Sequence, residues 1–251
     1  MIDYPGRRES GHISDLCLEE QGFDVRYAMR SPLPRELSAR AYAGRLIERS
    51  GVDRNRLVGI AAYCMAGHIA HEAAAQLSAD GTEPVTLILF DSGPCLADAV
   101  AEECRSALDL FGGAELTAVL DHGPGPGLLS AESLRDAPER SVALIERELL
   151  DFAINLYPDA AENRQEAEEA AAPMVDHFIE WLSHLVAAHN GAAPAWPGQV
   201  LHLVSRDHPY REDWPGARST TTRLVDRDRN MLLAAKEVRD IVISQFRSRS
   251  A

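Results

Sequence analysis

The feature that most constrains the fold of this 251-residue chain is the apolar run Val85 to Phe90, which ends in Asp-Ser-Gly at 91–93. This run indicates a strand buried on both faces, which is typical of a parallel sheet covered by helices. A shorter apolar run, Leu57 to Ala61, precedes a helical pattern from about Met65 to Leu77. Strand and helix therefore alternate, and the sequence predicts an α/β fold with a mostly parallel central sheet and helices on both faces.

The rest of the chain divides around a long helical segment. Residues 96–195 have helical spacing, and strand patterns resume at 199–207 and 220–226, followed by an amphipathic helix from about Leu232 to Phe246. The sequence therefore predicts a single domain, residues 1–251, with 96–195 as a helical insertion. Upstream of the first strand, the patterns predict helices at 13–21 and 37–49 and short strands at 1–3 and 23–27.

Charge and composition exclude several classes of protein. With 25 Lys and Arg against 39 Asp and Glu, the net charge is −14, which argues against nucleic acid or an anionic membrane as a partner. There is no apolar stretch of about 18 residues and no signal-peptide pattern, so we expect a cytoplasmic protein. The four cysteines show neither CxxC pairing nor zinc-ligand spacing, and we expect thiols at Cys17, Cys64, Cys95 and Cys104.

The motif with the clearest chemistry lies where the first strand passes into its helix, Ala-Tyr-Cys-Met-Ala at 62–66. It has the small-x-nucleophile-x-small form of a nucleophile elbow, in which small residues two before and two after the nucleophile let strand and helix pass closely. The helix N-terminus stabilises a thiolate here, and the amide of Met65 points to where an oxyanion would form. Cys64 is therefore the candidate nucleophile, with a core thiol as the alternative.

These segments resemble the thioesterase domains and stand-alone type II thioesterases of polyketide and nonribosomal peptide assembly lines, which are α/β hydrolases. Their elbow GxSxGG and its helix AxExAxxL are similar to AYCMAGHIAHEAAAQL at 62–77, and their next strand, with its acid-Ser end, is similar to LILFDSGP at 87–94. The resemblance implies Asp91 as the triad acid and 96–195 as a helical lid. It also implies an acyl-carrier or peptidyl-carrier protein as partner, and no cofactor.

Two departures separate the chain from that family. The family nucleophile is usually Ser, and its base is a His in a motif like GDHxxML, whereas this chain has Cys64 and reads DRDRNML at 226–232. Alignment on Met-Leu places Asp228 in the slot of the His. A Ser hydroxyl needs that base because it is a weak nucleophile at neutral pH, but a Cys at a helix N-terminus can attack as a thiolate. The chain resembles a divergent family member with Cys in its elbow.

Three further sets of residues are candidates. His208 follows the strand at 199–207 and is the candidate replacement base, or else a surface-loop His before a proline. Gly6, or else Arg7, in the N-terminal segment is the candidate second oxyanion donor, with a frayed terminus as the alternative. His68 and His71 have a spacing that metal ligands also use, but without an identifiable third ligand helix packing is the better interpretation, so no metal is expected.

The sequence predicts a thioesterase-like hydrolase or acyltransferase that takes an acyl group from a carrier thioester onto Cys64 and releases it by hydrolysis, transfer or cyclisation. Two alternatives stay open. Because the expected His is missing, the chain can instead be a degenerate hydrolase that binds an acyl chain or carrier protein without turnover. AYCMAG at 62–67 is also similar to the GYCxGG of dienelactone hydrolases and polyhydroxyalkanoate synthases, which would imply a small ester or lactone substrate.

Overall fold

A computed structural model describes the chain over residues 1–4, 10–78, 83–122, 127–157 and 163–248, with side chains throughout except at 110–122. The chain forms two compact units. The first contains the sheet and is formed by 1–31, 39–94 and 191–251. The second is helical and is formed by 32–38 and 95–190.

In the described part of the chain, the first unit is built on a parallel sheet of four strands. They pair in chain order and are β1 Gly59–Tyr63, β2 Thr86–Phe90, β3 Trp196–Val204 and β4 Ala217–Leu224. Tyr63 pairs with Phe90, and Phe90 pairs with Leu203, so the carboxyl ends of β1, β2 and β3 are level. Cys64 and Asp91 directly follow two of these ends, at the edge of the sheet where α/β proteins assemble their sites.

Helices cover both faces of this sheet, as the sequence predicts. On one face α7, Lys236–Arg247, packs into an apolar core with alternate residues of the strands. The members of this core that lie on α7, β2 and β3 are Val238, Val242, Phe246, Ile88, Phe90, Leu201 and Leu203. On the other side α2, Ala66–Leu77, contacts β1 and β2, and α1, Ala39–Ser50, packs against α2. Every residue of β2 is buried, as its apolar sequence requires.

The N-terminal segment differs in part from expectation. Ile2 pairs with Ala62 of β1 through a single parallel bridge. The predicted strand at 23–27 is irregular backbone, and among the described residues it meets the N-terminal segment through isolated hydrogen bonds such as the one from the Met1 amino group to the Arg26 carbonyl (2.7 Å). The predicted helix at 13–21 is two short 3-10 turns, because Cys17 between them has left-handed backbone, with φ 45°.

The second unit contains the helices inserted between β2 and β3. They are α3 Ala97–His122, α4 Ala131–Asp136, α5 Pro138–Asn155 and α6 Arg164–His189. Helix α5 packs against α6, and α3 contacts both. Arg35 ties the segment 32–38 to this unit through ion pairs with Glu146 and Asp176. The assignment of these helices as a lid stays a prediction.

None of the helices in the described ranges combines the length and apolar character needed to span a bilayer.

Candidate active site

Cys64 occupies the turn between β1 and α2 in a conformation that a non-glycine residue rarely adopts. Its φ is 55°, in the left-handed region, which costs an ordinary L-residue about 1–2 kcal/mol and is enriched at functional sites. The backbone N–H of Cys64 donates to the Phe90 carbonyl (2.8 Å), which holds the turn against the end of β2. Ala62 and Ala66 are completely buried on either side, as the small-residue rule of the elbow requires.

Gly67 is the other residue on which this turn depends. A Cβ at position 67 would lie 2.7 Å from Ser92 Oγ and 3.1 Å from a ring carbon of Trp214. Such contacts are shorter than side chains tolerate, so only glycine lets the start of α2 pass the residues that follow β2.

We expect Gly67→Ala to destabilise the fold by about 1–3 kcal/mol through overpacking, and to slow alkylation of Cys64 because the elbow must shift. Gly44→Ala is the matched control, since Gly44 lies within α1 and a Cβ there would meet only the flexible Gln76 side chain, at 3.4 Å. It should be neutral or stabilising by up to about 1 kcal/mol. Urea unfolding of the two variants measures this; equal effects would mean that the turn tolerates a Cβ.

The Cys64 sulfur accepts a hydrogen bond from a guanidinium. Arg229 Nη2 lies 2.9 Å from Cys64 Sγ, and Arg229 Nε donates to the Tyr63 hydroxyl, also at 2.9 Å. The guanidinium carbon also lies 5.6 Å from the centre of the Tyr63 ring. Arg229 is an exposed residue overall, and partial desolvation of its guanidinium disfavours the charge, but Cys64, Tyr63 and Asp91 outweigh this effect and raise the pKa of Arg229 above its usual value. A fixed positive charge beside the sulfur favours the thiolate.

The four cysteines, all within the described residues, are thiols rather than disulfides, and their surroundings differ. The thiol of Cys17 donates to the Asp15 carbonyl (3.5 Å), and that of Cys95 donates to the Leu185 carbonyl (3.8 Å). Burial raises the pKa of Cys104 to about 12. Burial therefore favours the protonated thiol at Cys104, whereas the guanidinium of Arg229 beside Cys64 favours the thiolate.

Asp91 is a buried carboxylate, 1% exposed, in a second left-handed turn with φ 42°. Its Oδ1 accepts from the Ser205 N–H (2.7 Å), just beyond β3, while its Oδ2 has no hydrogen-bond partner among the described residues. Its negative charge is one of the causes that raise the pKa of Arg229. Arg229 therefore interacts with both the candidate nucleophile and the candidate acid.

Asp228 begins the 3-10 turn Arg229–Met231, where its Oδ1 accepts from the Met231 N–H (3.0 Å). This is a capping position, which fixes the backbone of the turn that carries Arg229. The alignment places Asp228 in the slot of the expected base, and the structure brings the next residue, Arg229, to the Cys64 sulfur.

His208 lies in the loop between β3 and β4. Its ring Nδ1 donates to the Tyr210 carbonyl (3.1 Å), and its backbone N–H donates to the Ser205 carbonyl (3.2 Å). A Cβ at Gly93 would lie 3.6 Å from His208 Cε1, so the ring packs near the segment that follows Asp91. The proton on Nδ1 leaves Nε2 as the basic nitrogen, and the role of His208 as a base stays a prediction.

The two candidate donors to an oxyanion are Met65 and Gly6. Met65 is the N-terminal cap of α2, directly after Cys64, where the positive end of the helix dipole lies. Gly6 lies outside the described residues. The oxyanion roles of both residues stay predictions.

The histidines of α2 take part in packing. His68 Nε2 donates to the Gly93 carbonyl (2.9 Å), and its ring lies 5.0 Å from that of Trp214. His71 Nδ1 accepts from Trp214 Nε1 (2.9 Å). In the described ranges, no group of three or more Asp, Glu, His or Cys side chains is arranged to hold a metal ion.

A buried histidine that the sequence analysis did not single out lies on β3. His202 is completely buried, its Nε2 accepts from the Ser92 N–H (3.2 Å), and its ring centre lies 6.0 Å from that of His208. Burial, together with the neighbouring His208, lowers the pKa of His202 to about 4. Its position among the buried apolar residues at 200–204 of β3 was the available signal, since such a segment admits a His mainly where a hydrogen-bond partner exists.

A cavity of about 340 Å³ lies elsewhere in the first unit. Its walls include the N-terminal residues of β1, the end of α1 and the segments Met1–Ile2 and Gly22–Arg26. Because Gly59 and Ile60 begin β1 while Cys64 follows its last residue, the cavity opens at the opposite end of the strand from the candidate nucleophile.

Comparison with known proteins supports the prediction of an α/β fold. No protein-family model and no curated protein sequence matches the chain. Among solved structures, the RedJ thioesterase of the prodiginine biosynthetic pathway in Streptomyces coelicolor is similar with a TM-score of 0.51 and 14% identity, over 99% of this chain and 84% of that chain. The chain therefore shares the α/β fold of that thioesterase, with a parallel sheet and helices on both of its faces.

Two further solved structures are similar at lower scores. The NocB thioesterase domain from the nocardicin cluster has a TM-score of 0.48 and 18% identity, over 99% of this chain and 91% of that chain. A putative α/β hydrolase family protein from Desulfitobacterium hafniense has a TM-score of 0.48 and 15% identity, over 100% of this chain and 94% of that chain.

Proposed function

We propose that the protein is a thioesterase-like enzyme that transfers acyl groups through a covalent acyl-enzyme on Cys64. The observation that carries this proposal is the contact of 2.9 Å between Arg229 Nη2 and Cys64 Sγ. A sulfur in a strained turn at a helix N-terminus, paired with a guanidinium, has the surroundings of a reactive thiolate.

In the proposed reaction, the Cys64 thiolate attacks the carbonyl carbon of a thioester. The developing oxyanion accepts from the Met65 amide at the start of α2 and, in our proposal, from Gly6 as a second donor. Collapse of the tetrahedral intermediate breaks the bond to the substrate sulfur and leaves the acyl group on Cys64. Arg229 stabilises the thiolate before attack, so this step needs no base.

The remaining candidates have supporting roles in this proposal. Asp91 provides the buried negative charge that helps to hold Arg229 in its protonated form. Asp228 is a positioning residue, because it caps the turn from which Arg229 reaches the sulfur. His208 is the base that hydrolysis would use, since its Nδ1–H is engaged with Tyr210 and its Nε2 can take a proton from water.

The proposed donor substrate is an acyl-carrier or peptidyl-carrier protein that bears a thioester. Its support is the likeness of 62–77 and 87–94 to the motifs of assembly-line thioesterases, together with the shared fold of the RedJ thioesterase, whose pathway makes prodiginine. A small ester or lactone remains the substrate of the dienelactone-hydrolase alternative, and that alternative predicts turnover of p-nitrophenyl acetate in preference to thioesters.

A second candidate function is a binding module without turnover, which the absence of the expected His in 226–232 favours. The two functions differ in what they predict for the thiols. A catalytic site requires Cys64 to react much faster than Cys17, although both are partly exposed, whereas a binding module requires no such contrast.

The test is incubation with a panel of acyl thioesters of N-acetylcysteamine, followed by intact and peptide-level mass spectrometry. We expect one acyl group per chain on the peptide that contains Cys64, and no adduct and no accelerated thioester consumption with Cys64→Ala. Cys17→Ala is the control and should acylate like the wild type. If wild type and Cys64→Ala consume thioesters at the same rate and no adduct forms, the catalytic proposal is wrong.

A further inference from the structure

We propose that the acceptor which discharges acyl-Cys64 is a second thiol, so that the site exchanges acyl groups between thiols in preference to hydrolysing them. This inference rests on the proposed function and specifies the acceptor of the same site. It follows from the nature of the group that lies against the sulfur.

Arg229 is a cation that cannot take part in proton transfer. A guanidinium stays protonated under the conditions in which proteins are folded, and it has no lone pair with which to accept a proton. Here Cys64 and Asp91 favour its charged form still further, by raising the pKa of Arg229. The side chain that interacts with both the nucleophile and the buried acid therefore stabilises negative charge and cannot act as a general base.

The transfer of an acyl group from one thiol to another requires from the protein only a positive charge beside the Cys64 sulfur, such as that of Arg229. In the first step Cys64 Sγ forms a bond to the carbonyl carbon of R–CO–S–R′, the bond from that carbon to the donor sulfur breaks, and R′S⁻ leaves with the electron pair. In the second step R″S⁻ attacks the acyl carbon, and the bond to Cys64 Sγ breaks. Sγ leaves as a thiolate beside Arg229. The acceptor thiol R″SH loses its proton to solvent before it attacks, and R′S⁻ takes a proton from solvent after it leaves, so the protons balance without a base from the protein. Nothing is oxidised or reduced.

Hydrolysis has a different requirement. Water must lose a proton as it attacks, which needs a general base near neutral pH. His202 is poorly suited, because burial lowers its pKa to about 4 and its Nε2 already accepts from the Ser92 N–H. The Arg229 contact at the Cys64 sulfur thus favours a thiolate acceptor over water, for which His208 is the base in our proposal.

The identity of the leaving group, the Cys64 thiolate, also favours a thiol as the acceptor. Stabilising Cys64 as a thiolate lowers the cost of expelling it from the tetrahedral intermediate in the second step. Arg229 therefore makes acyl-Cys64 an activated thioester, and a thiolate acceptor can use that activation without further help.

The test starts from isolated acyl-Cys64, prepared with octanoyl-N-acetylcysteamine and freed from excess reagent by gel filtration. Loss of the adduct is followed by intact mass spectrometry in buffer alone, with ethanolamine, with coenzyme A and with glutathione. The two thiols distinguish a pantetheine arm from a cysteine thiol as the acceptor. The chemical control is the acylated Cys64 peptide, released by protease from the same preparation and treated identically.

We expect millimolar thiol to discharge the protein adduct about tenfold or more faster than buffer or ethanolamine, and faster than the same thiol discharges the peptide. The new thioester should appear in matching amount. Two results overturn the inference: loss of the adduct at the same rate with and without thiol, or thiol discharge no faster than in the peptide. If octanoyl-Cys64 never forms, the proposed function itself fails, and the two failures are thereby distinguished.

Discussion

Replacing Arg229 with glutamine will lower the rate at which Cys64 is alkylated by iodoacetamide, and acylated by a thioester, about 10- to 100-fold at neutral pH. The variant keeps a side chain that can donate a hydrogen bond but removes the positive charge 2.9 Å from the sulfur. Hydrogen bonds to charged groups contribute about 1.5–3 kcal/mol, which corresponds to that range of rates. Arg229→Lys should retain part of the rate, because an ammonium provides the charge but cannot bond to Tyr63 and Cys64 as a rigid fork.

Arg227→Gln is the matched control, because Arg227 lies two residues away and is exposed like Arg229, whereas Arg229 is the residue that donates to the Cys64 sulfur. It should leave alkylation of Cys64 within about twofold of the wild type, since exposed charges beyond direct contact are largely screened. Equal rates in wild type and Arg229→Gln would show that the guanidinium does not activate the sulfur.

The free energy of unfolding should decrease on acidification, over the pH range in which two buried histidines of the first unit become protonated. Burial lowers the pKa of both His71 and His202 to about 4, from 6.5. Between pH 6.5 and pH 4 these two histidines are protonated in the unfolded chain but neutral in the folded chain. The free energy of unfolding is therefore highest above pH 6.5 and decreases as the pH falls toward 4. The loss is on the order of 3 kcal/mol for each ring as an upper value.

Urea unfolding at pH 7, 5.5 and 4.5 measures this loss, and a double variant isolates it. His71→Asn retains an acceptor for Trp214 Nε1, and His202→Gln retains one for the Ser92 N–H. The variant should lose less stability than the wild type between pH 7 and 4.5, and parallel losses in the two proteins would show that other groups cause the acid sensitivity.

Much of the fold follows from local sequence patterns. The apolar run at 85–90 and the alternation of strand and helix predict a parallel sheet, and α2 and α7 lie close to their predicted ranges. The N-terminal part was less predictable, because the helix pattern at 13–21 is interrupted by the left-handed turn at Cys17. Such a turn has no signal in sequence when the residue is not glycine or asparagine.

The candidate site was predictable in part, for a physical reason. Cys64 and Asp91 each follow a buried strand, so level strand ends bring them to one edge of the sheet. Arg229 lies on a short turn far along the chain, and alignment by motif pointed to Asp228, one residue earlier. A change of one residue in a 3-10 turn rotates the side chain by about 120°, which motif spacing alone does not resolve. A Cys nucleophile is activated by a nearby positive charge, and this requirement could have directed attention to the arginines next to Asp228, which include Arg229.

The most direct test of the central claim, that Cys64 is a thiolate stabilised by Arg229, is the pH dependence of alkylation of Cys64 and Cys17 in the same wild-type protein. Both thiols are partly exposed, but Cys17 donates to a carbonyl and Cys64 accepts from a guanidinium. We expect alkylation of Cys64 to reach its plateau at a lower pH than that of Cys17. Coincident profiles for the two thiols would contradict the claim.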